Sequence, residues 1–175
     1  MEKRAVGILP RPRKGVRLML RRVTLLAAVI VVMTVAVAGV AYARTFTGTN
    51  GPNVINGTDS SDEIFGLAGA DTLRGAGGND YISAGRGNDF VNGGPGNDDI
   101  IGGNGADTLR GGGDSDEITG GLGADTVYGD SGDDFLDVID GIEGNDFVSG
   151  GDGYDECYVD SADEVGPGCE EVFID

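Results

Sequence analysis

An apolar residue recurs at every ninth position through most of the chain. Counted in nine-residue blocks from Gly48, the eighth position is apolar in all twelve blocks. A disordered, low-complexity Gly/Asp linker has no reason to keep an apolar position in phase, so the pattern predicts a folded repeat. The residues at this position are Ile55, Ile64, Leu73, Ile82, Val91, Ile100, Leu109, Ile118, Val127, Leu136, Val148 and Cys157.

The blocks run without a gap through residue 137. Three extra residues, 138–140, then break the phase, and two further blocks follow at 141–149 and 150–158. The remaining residues, 159–175, leave the pattern. We expect the insertion to form either a bulge or a small loop, and we expect the tail to cap the last block, because the end of a stack of strands exposes an unpaired edge.

Glycines around the apolar position predict a turn followed by a short strand in each block. Glycine occupies the first position except at Ala84, and the fourth position except at Ser60 and Asp114. Glycine adopts backbone angles that are closed to most residues and lets neighbouring turns approach closely. The last three positions are β-prone, and alternation sends position 8 to one face and positions 7 and 9 to the other. Each block should therefore reverse the chain once.

The sixth position carries a carboxylate in every block except the first, where Asn53 replaces it. Calcium prefers about six to eight oxygen ligands in flexible geometry, whereas magnesium demands a near-ideal octahedron and zinc prefers nitrogen or sulfur. Glycine-rich turns expose carbonyl oxygens, and the chain contains no histidine, so ligand type favours calcium. The candidate metal ligands are Asp62, Asp71, Asp80, Asp89, Asp98, Asp107, Asp116, Asp125, Asp134, Asp146 and Asp155.

Together these positions resemble the pattern G-G-x-G-x-D-x-U-x of the RTX, or hemolysin-type, calcium-binding repeats. The resemblance covers residues 48–158 and implies an all-β fold, a right-handed parallel β-roll (a β-solenoid) that binds several calcium ions between stacked turns. Blocks n and n+2 would then stack on the same edge. The aspartates would form two files, one of Asp62, Asp80, Asp98, Asp116 and Asp134, and one of Asn53, Asp71, Asp89, Asp107 and Asp125.

Such a roll should need its metal in order to fold. Burying one aliphatic side chain yields about 1.5–3 kcal/mol, whereas ordering a residue costs about 1–2 kcal/mol in backbone entropy. Carboxylates stacked ~4.8 Å apart also repel one another. We therefore expect a chain that is largely unfolded without calcium and rolled with it.

The first 43 residues predict an export signal peptide. A basic stretch ends at Arg21-Arg22, an uncharged run covers residues 23–40, and the triplet AYA follows at 41–43. This order is typical of a signal that is cleaved after Ala43. The uncharged run also just reaches membrane-spanning length, so an uncleaved signal anchor is the alternative. Both interpretations place the remainder outside the cell, where Cys157 and Cys169 can form a disulfide.

Charge and composition limit the functions open to the exported part. From Arg44 onward the chain has four arginines, no lysine and 29 acidic residues, which argues against binding nucleic acid or an anionic membrane surface. Without histidine or lysine it has no Ser–His pair, P-loop lysine or Schiff-base lysine. We therefore expect a protein that is not an enzyme.

The leading interpretation is a secreted calcium-binding protein with a structural or adhesive role at the cell envelope, where it would meet a glycan or a protein partner. One alternative is an ice- or polysaccharide-binding strand face that includes Thr72, Thr108 and Thr126. These threonines do not form a regular ladder along the sequence, because Glu63, Phe90, Asp99 and Glu117 share position 7. The other alternative is an extracellular calcium store without a protein partner.

Overall fold

The computed structural model describes residues 43–142 and 145–175. These residues form strands, turns and loops, and none of their segments is a helix long and apolar enough to cross a membrane. The predicted export signal, residues 1–43, lies outside the described residues except for Ala43.

The strands form two parallel sheets, and successive strands alternate between them. Sheet I contains β1 (Thr45–Thr47), β3 (Glu63–Ala68), β5 (Tyr81–Arg86), β7 (Asp99–Asn104), β9 (Glu117–Leu122), β11 (Phe135–Asp137), β13 (Asp155–Val159) and β15 (Cys169–Ile174). Sheet II contains β2 (Val54–Asn56), β4 (Thr72–Arg74), β6 (Phe90–Pro95), β8 (Thr108–Gly113), β10 (Thr126–Ser131), β12 (Phe147–Asp152) and β14 (Glu164–Val165).

Two blocks make one coil, as the sequence predicts. Each strand pairs with the strand two elements along the chain, so residues eighteen apart face each other, as Ile82 faces Ile100 in sheet I and Val91 faces Leu109 in sheet II. The predicted all-β, parallel β-roll architecture is therefore confirmed. Its sheets grow by one strand per coil, because a period of nine residues reverses the chain with each repeat.

The core is a double column of aliphatic side chains between the two sheets. Every position-8 residue is buried, and all of them from Ile64 onward are fully inaccessible. Position 1 also faces inward, as the buried Ala84 shows, whereas positions 7 and 9 face outward on each sheet. Each strand sends only one or two side chains into the core, so the interior between the sheets is narrow.

The insertion at 138–140 forms a loop between β11 and β12. It lengthens the coil, so Val127 of β10 faces Val148 of β12, twenty-one residues along the chain. Val138 is fully buried and donates its main-chain amide to the carbonyl oxygen of Tyr158 at 2.9 Å. Asp140 anchors the loop by accepting the amide of Gly123 at 3.0 Å.

The tail continues both sheets. β14 pairs with β12 and β15 pairs with β13, so residues 159–175 add a further coil. The predicted disulfide between Cys157 and Cys169 is present and joins β13 to β15. Phe173 stacks on Tyr158, with ring centroids 4.5 Å apart.

Candidate metal centre

The position-6 aspartates lie in two files, one along each edge of the roll. Each stands directly before its strand, or in the case of Asp155 begins it, so the strand register places it one coil from the next aspartate of the same file. Burial is nearly complete, since the exposed fraction is between 0% and 4% for every member. The insertion does not interrupt the files, which continue from Asp125 to Asp146 and from Asp134 to Asp155.

One carboxylate oxygen of each aspartate accepts a hydrogen bond from a main-chain amide of the preceding coil. Oδ1 of Asp98 accepts the main-chain amide of Asp80 at 2.8 Å, and Oδ1 of Asp107 accepts the amide of Asp89 at 2.8 Å. The same bond repeats along both files at 2.6–2.9 Å. Each carboxylate thus holds the turn of the neighbouring coil in place.

The other oxygen, Oδ2, is buried and has no hydrogen-bond partner in ten of these aspartates. Leaving a buried polar atom unpaired costs about 1–3 kcal/mol, and more when the atom carries charge. A cation or a proton at this atom would remove that cost. The residues are Asp71, Asp80, Asp89, Asp98, Asp107, Asp116, Asp125, Asp134, Asp146 and Asp155.

The glycine at position 1 leaves space beside this oxygen. A Cβ atom at Gly66 would lie 2.6 Å from Oδ2 of Asp71 and 2.5 Å from the carbonyl oxygen of Ala84 in the next coil. At Gly102 it would lie 2.8 Å from Oδ2 of Asp107. The backbone of these two glycines does not have positive φ, so glycine is required here by space rather than by conformation.

Glycines at positions 2 and 4 have a different role. Gly85 and Gly87 adopt left-handed backbone, with φ of 111° and 141°. A Cβ atom on either would collide with a carbonyl oxygen of the preceding coil, from Leu67 or Gly69. Carbonyl oxygens of the turns therefore point along the roll, into the space between neighbouring turns.

The donor set fits calcium. Among the described residues no three acidic, histidine or cysteine side chains converge on one point, so a cation between turns would take most of its ligands from main-chain carbonyls. Such carbonyls and one unpaired carboxylate oxygen per turn form an all-oxygen set, which is the set that calcium prefers.

A family model agrees with this geometry. The model of the RTX calcium-binding nonapeptide repeat, in four copies, matches residues 47–82, 65–100, 74–109, 101–136 and 137–157. The chain belongs to the RTX calcium-binding repeat family. RTX nonapeptide repeats bind calcium ions, and they are structural elements rather than catalytic ones. No curated protein matches the chain.

Burial shifts the protonation of the RTX aspartates when no cation is present. Burial raises the pKa of Asp98 and of Asp107 from 3.8 to about 7, although the hydrogen bonds from main-chain amides act in the opposite direction. Burial likewise raises the pKa of Asp116 to about 8. Below these pKa values the calcium-free roll therefore holds neutral carboxyls at its centre, and a cation must displace those protons.

The first RTX turns differ from the interior ones. Oδ2 of Asp62 is not free, because it accepts the amide of Thr58 at 2.7 Å and the Thr58 hydroxyl at 2.9 Å. Oδ1 of Asn53 similarly accepts the amide of Thr49 at 2.6 Å. In these two turns, donors within the protein already occupy the side-chain oxygen. Asp62, although predicted as a metal ligand, therefore lacks the unpaired oxygen that the interior aspartates have.

The last coil ends the files with residues outside the nonapeptide spacing. Glu170 accepts the amide of Asp155 at 2.9 Å, and Asp163 accepts the amide of Asp146 at 3.3 Å. The sequence analysis missed both acceptors, because they follow their donors by fifteen and seventeen residues rather than eighteen. The only signal was the density of acidic residues in the tail.

Two altered RTX turns carry valine nine residues after a position-1 glycine. Val138 follows strand β11 and Val159 ends strand β13, and both are buried. Five residues later, where the repeat has aspartate, the chain has Glu143 and Glu164. In both of these turns a buried valine stands in place of glycine and glutamate in place of aspartate, whereas the smaller Ala84 occurs together with Asp89.

Proposed function

We propose that this chain is a secreted protein of the cell envelope that folds on binding calcium and has a structural or adhesive role there. The observation that carries the proposal is the repeated, buried Oδ2 atom that has no partner. Ten such atoms in one narrow roll make the metal-free fold costly, since each lost partner costs about 1–3 kcal/mol.

Calcium binding that requires the rolled form supplies the missing free energy of folding. Ligands would come from Oδ2 of the interior aspartates, such as Asp98 and Asp107, and from the carbonyl oxygens of turn positions. The concentration of free calcium is low in the cytoplasm and high outside cells, so the chain would cross the membrane unfolded and roll up after export.

Two features support an extracellular location. The disulfide between Cys157 and Cys169 is stable in oxidising compartments and rare in reducing ones. The sequence of residues 1–43 is typical of an export signal, either cleaved after Ala43 or kept as an anchor at the cell surface.

A calcium titration followed by circular dichroism tests the proposal. We expect the purified exported part to give a coil spectrum in chelator and a strand spectrum at saturating calcium. Magnesium at the same concentration is the control and should not produce the transition, because it keeps its water and demands a strict octahedron. A strand spectrum that is unchanged by chelator would contradict the proposal.

A structural or adhesive role requires a binding partner, whereas calcium storage does not. A store needs only many weak sites, whereas an envelope component must bind another molecule. Capture of envelope components on the immobilised protein in calcium, and their release by chelator, would support the first role. Calcium binding without any captured component would favour storage.

A further inference from the structure

The two ends of the roll differ in charge. At one end, which we call the N-end, the terminal strands of the two sheets are β1 and β2; at the other, the C-end, they are β14 and β15. From Arg44 through Thr58 the chain has one arginine and no acidic residue, whereas residues 159–175 include six acidic residues and no basic one. The N-end is therefore weakly basic and the C-end strongly acidic.

The C-end leaves the core columns uncovered. Val165 faces Val148 and Val172 faces Cys157, so both continue the inward columns by one coil. They are nevertheless 38% and 42% exposed, and Ile174 is 68% exposed, whereas Val148 and Cys157 are fully inaccessible. Apolar side chains at the end of a stack, beside unpaired strand edges, are the surface that a solenoid normally covers with a cap.

The N-end begins the same two columns. Phe46 of β1 faces Ile64 and packs against the core, and Ile55 of β2 begins the other column. Arg44 lies one coil before Asp62 in its file. The Arg44 side chain is exposed and forms no ion pair with another described residue. This end thus offers one strand to each sheet and a guanidinium without a carboxylate partner.

A second copy placed on the C-end in the same orientation would continue both sheets. The register that repeats along the roll would set Phe46 of the second copy beside Val172, and Ile55 of the second copy beside Val165. The exposed apolar residues would then be covered by residues of their own columns. Main-chain hydrogen bonds across the two new strand pairs would each contribute about 0.5–1.5 kcal/mol.

We infer that the exported protein assembles head to tail, with the N-end of one copy on the C-end of the next. The inference rests on the rolled, calcium-bound form proposed above, cleaved after Ala43, and it supplies a partner for the structural role of that form, a second copy of the chain. The two contacting surfaces differ, so the contact does not close on itself. Repeated along the axis of the roll, it gives a filament.

Charge selects this orientation. Tail-to-tail pairing would oppose the acidic residues of one C-end to those of another, and like charges across an interface are strongly unfavourable. Glu170 and Glu171 of β15 thus protect this edge against a copy in the opposite orientation, as charged residues do on edge strands. Head-to-tail pairing instead brings Arg44 to these carboxylates, because Arg44 would follow Glu170, whose side chain accepts the amide of Asp155 at the end of the same file.

The junction is small. Its cross-section is set by two sheets about 10 Å apart and by strands of at most six residues, or about 20 Å. Such a junction lies at or below the low end of the roughly 1,200–2,000 Å² that stable interfaces bury. Calcium assists, because each bound ion offsets two of the negative charges by which whole copies repel one another. We therefore expect a reversible association in calcium that increases with protein concentration.

Sedimentation velocity of the exported part in saturating calcium tests the inference. We expect the average sedimentation coefficient to rise with protein concentration, and chelator to abolish the rise. Protein that circular dichroism shows to be rolled, but that stays monomeric at every concentration, would overturn the inference and leave the proposed function intact. Protein that is not rolled in calcium would contradict the proposed function, and the inference with it.

Variants that block one end at a time test which surfaces meet. I174D adds a carboxylate to the C-end and R44E reverses the charge of the N-end, so each should weaken the association at least about tenfold. L122D is the matched control, because Leu122 is an exposed aliphatic residue, 55% accessible, at the end of the interior strand β9. It should associate like the unmodified protein, and equal association of I174D and L122D would overturn the inference.

A mixture of the two blocked variants distinguishes head-to-tail from tail-to-tail pairing. I174D keeps an intact N-end and R44E an intact C-end, so the mixture should form one native junction and a complex of two molecules, although each variant alone stays monomeric at the same concentration. Dimers of R44E alone would indicate tail-to-tail pairing, and a mixture that stays monomeric would show that the ends do not meet. Either result would overturn the inference.

Circular dichroism of each variant in calcium distinguishes a folding defect from a lost surface. T47D adds a carboxylate at an exposed position of β1 and is a second variant that blocks the N-end. Its mixture with I174D should give the same complex of two molecules, and its failure to do so while rolled would contradict head-to-tail assembly.

Discussion

Asp98 uses its two carboxylate oxygens differently. Oδ1 accepts the main-chain amide of Asp80 at 2.8 Å, whereas Oδ2 is buried and unpaired. The first bond needs only an acceptor and persists whether the carboxyl is charged or neutral. The second oxygen needs a cation or a proton, so the proposed dependence of the fold on calcium would reside at Oδ2.

Replacing Asp98 by asparagine should separate these two roles. The amide oxygen of D98N keeps the bond to Asp80, while its NH₂ group can donate to the carbonyls beside the turn. We expect calorimetry to show fewer calcium ions bound, and the calcium-free form to gain about 1–3 kcal/mol of stability because no unpaired oxygen remains.

The neighbouring residue provides the control for this variant. Asp99 faces outward on sheet I, so D99N removes the same charge without touching the turn. Its calcium stoichiometry should equal that of the unmodified protein. If D98N binds as many calcium ions as D99N, Asp98 is not a ligand.

Acid should substitute for calcium. Burial raises the pKa of Asp98 and of Asp107 from 3.8 to about 7, and that of Asp116 to about 8. A group whose pKa is higher in the folded state stabilises that state below its ordinary pKa, and this stabilisation is lost as pH rises through the folded value. The metal-free chain should therefore be more rolled at pH 4 than at pH 8.

Circular dichroism of metal-stripped protein between pH 4 and pH 8 measures this effect. Calcium affinity should change in the opposite direction and fall as pH decreases, because protons and calcium compete for the same oxygens. A strand signal that does not change with pH in the absence of calcium would contradict the assignment of neutral carboxyls to the calcium-free roll.

A side chain at position 1 should destabilise the calcium-bound roll, because the backbone and the aspartate leave too little space for it. A methyl group at Gly102 would lie 2.8 Å from Oδ2 of Asp107 and 2.5 Å from the carbonyl oxygen of Gly120. We expect G102A to destabilise the calcium-bound roll by about 1–3 kcal/mol, the usual cost of overpacking. In G113A the nearest atom, Oγ of Ser131, is 3.7 Å away, so this variant should melt close to the unmodified protein.

The repeat predicts the core, and the resemblance to RTX repeats predicts the two files of aspartates. A period of nine with one inward aliphatic reverses the chain in each block, and the resemblance implies that every second block stacks, so Ile82 should face Ile100 and Asp80 should precede Asp98 by one coil. Nothing in this inference requires knowledge of side-chain geometry. The calcium preference also follows from residue type, because the turns offer only oxygen ligands.

Other features depend on geometry that a linear pattern does not contain. The sequence does not distinguish Oδ1 from Oδ2, so the amide bond between Asp80 and Asp98 was not predicted. A list of position-7 residues mixes two faces, which concealed that Thr108 faces Thr126 on sheet II. Glu170 accepts the main-chain amide of Asp155 although it lies outside the nonapeptide spacing. In the regular repeats an aspartate accepts the corresponding amide, and the longer side chain of glutamate reaches it here.

The disulfide should stabilise the last coil. It closes a loop of twelve residues between Cys157 and Cys169, for which chain entropy predicts about 3 kcal/mol. We expect C169A to lower the melting temperature in calcium, and reductant to lower that of the unmodified protein by a similar amount. Reductant should not change the melting temperature of C169A further, and an additional decrease would show that it acts elsewhere.

The mature N-terminus should contribute to the first turn. The main-chain nitrogen of Arg44 donates to Oδ1 of Asp62 at 3.0 Å, and Arg44 is the first residue that remains if the signal is cleaved after Ala43. Cleavage would convert this amide into an ammonium, and the bond would become a charge-assisted one. Because cleavage is predicted after Ala43, N-terminal sequencing of the secreted protein should begin at Arg44, and a start elsewhere would contradict the predicted cleavage.

Acetylation measures what this charge contributes. Protein that begins at Arg44 with a free amine should be more stable in calcium than the acetylated form by about 0.5–1 kcal/mol, because partly exposed ion pairs are worth that much. High salt should reduce the difference. D62N removes the carboxylate charge but keeps an acceptor oxygen, so acetylation should then have little effect on the melting temperature. An equal effect of acetylation in both backgrounds would show that the ammonium acts on something other than Asp62.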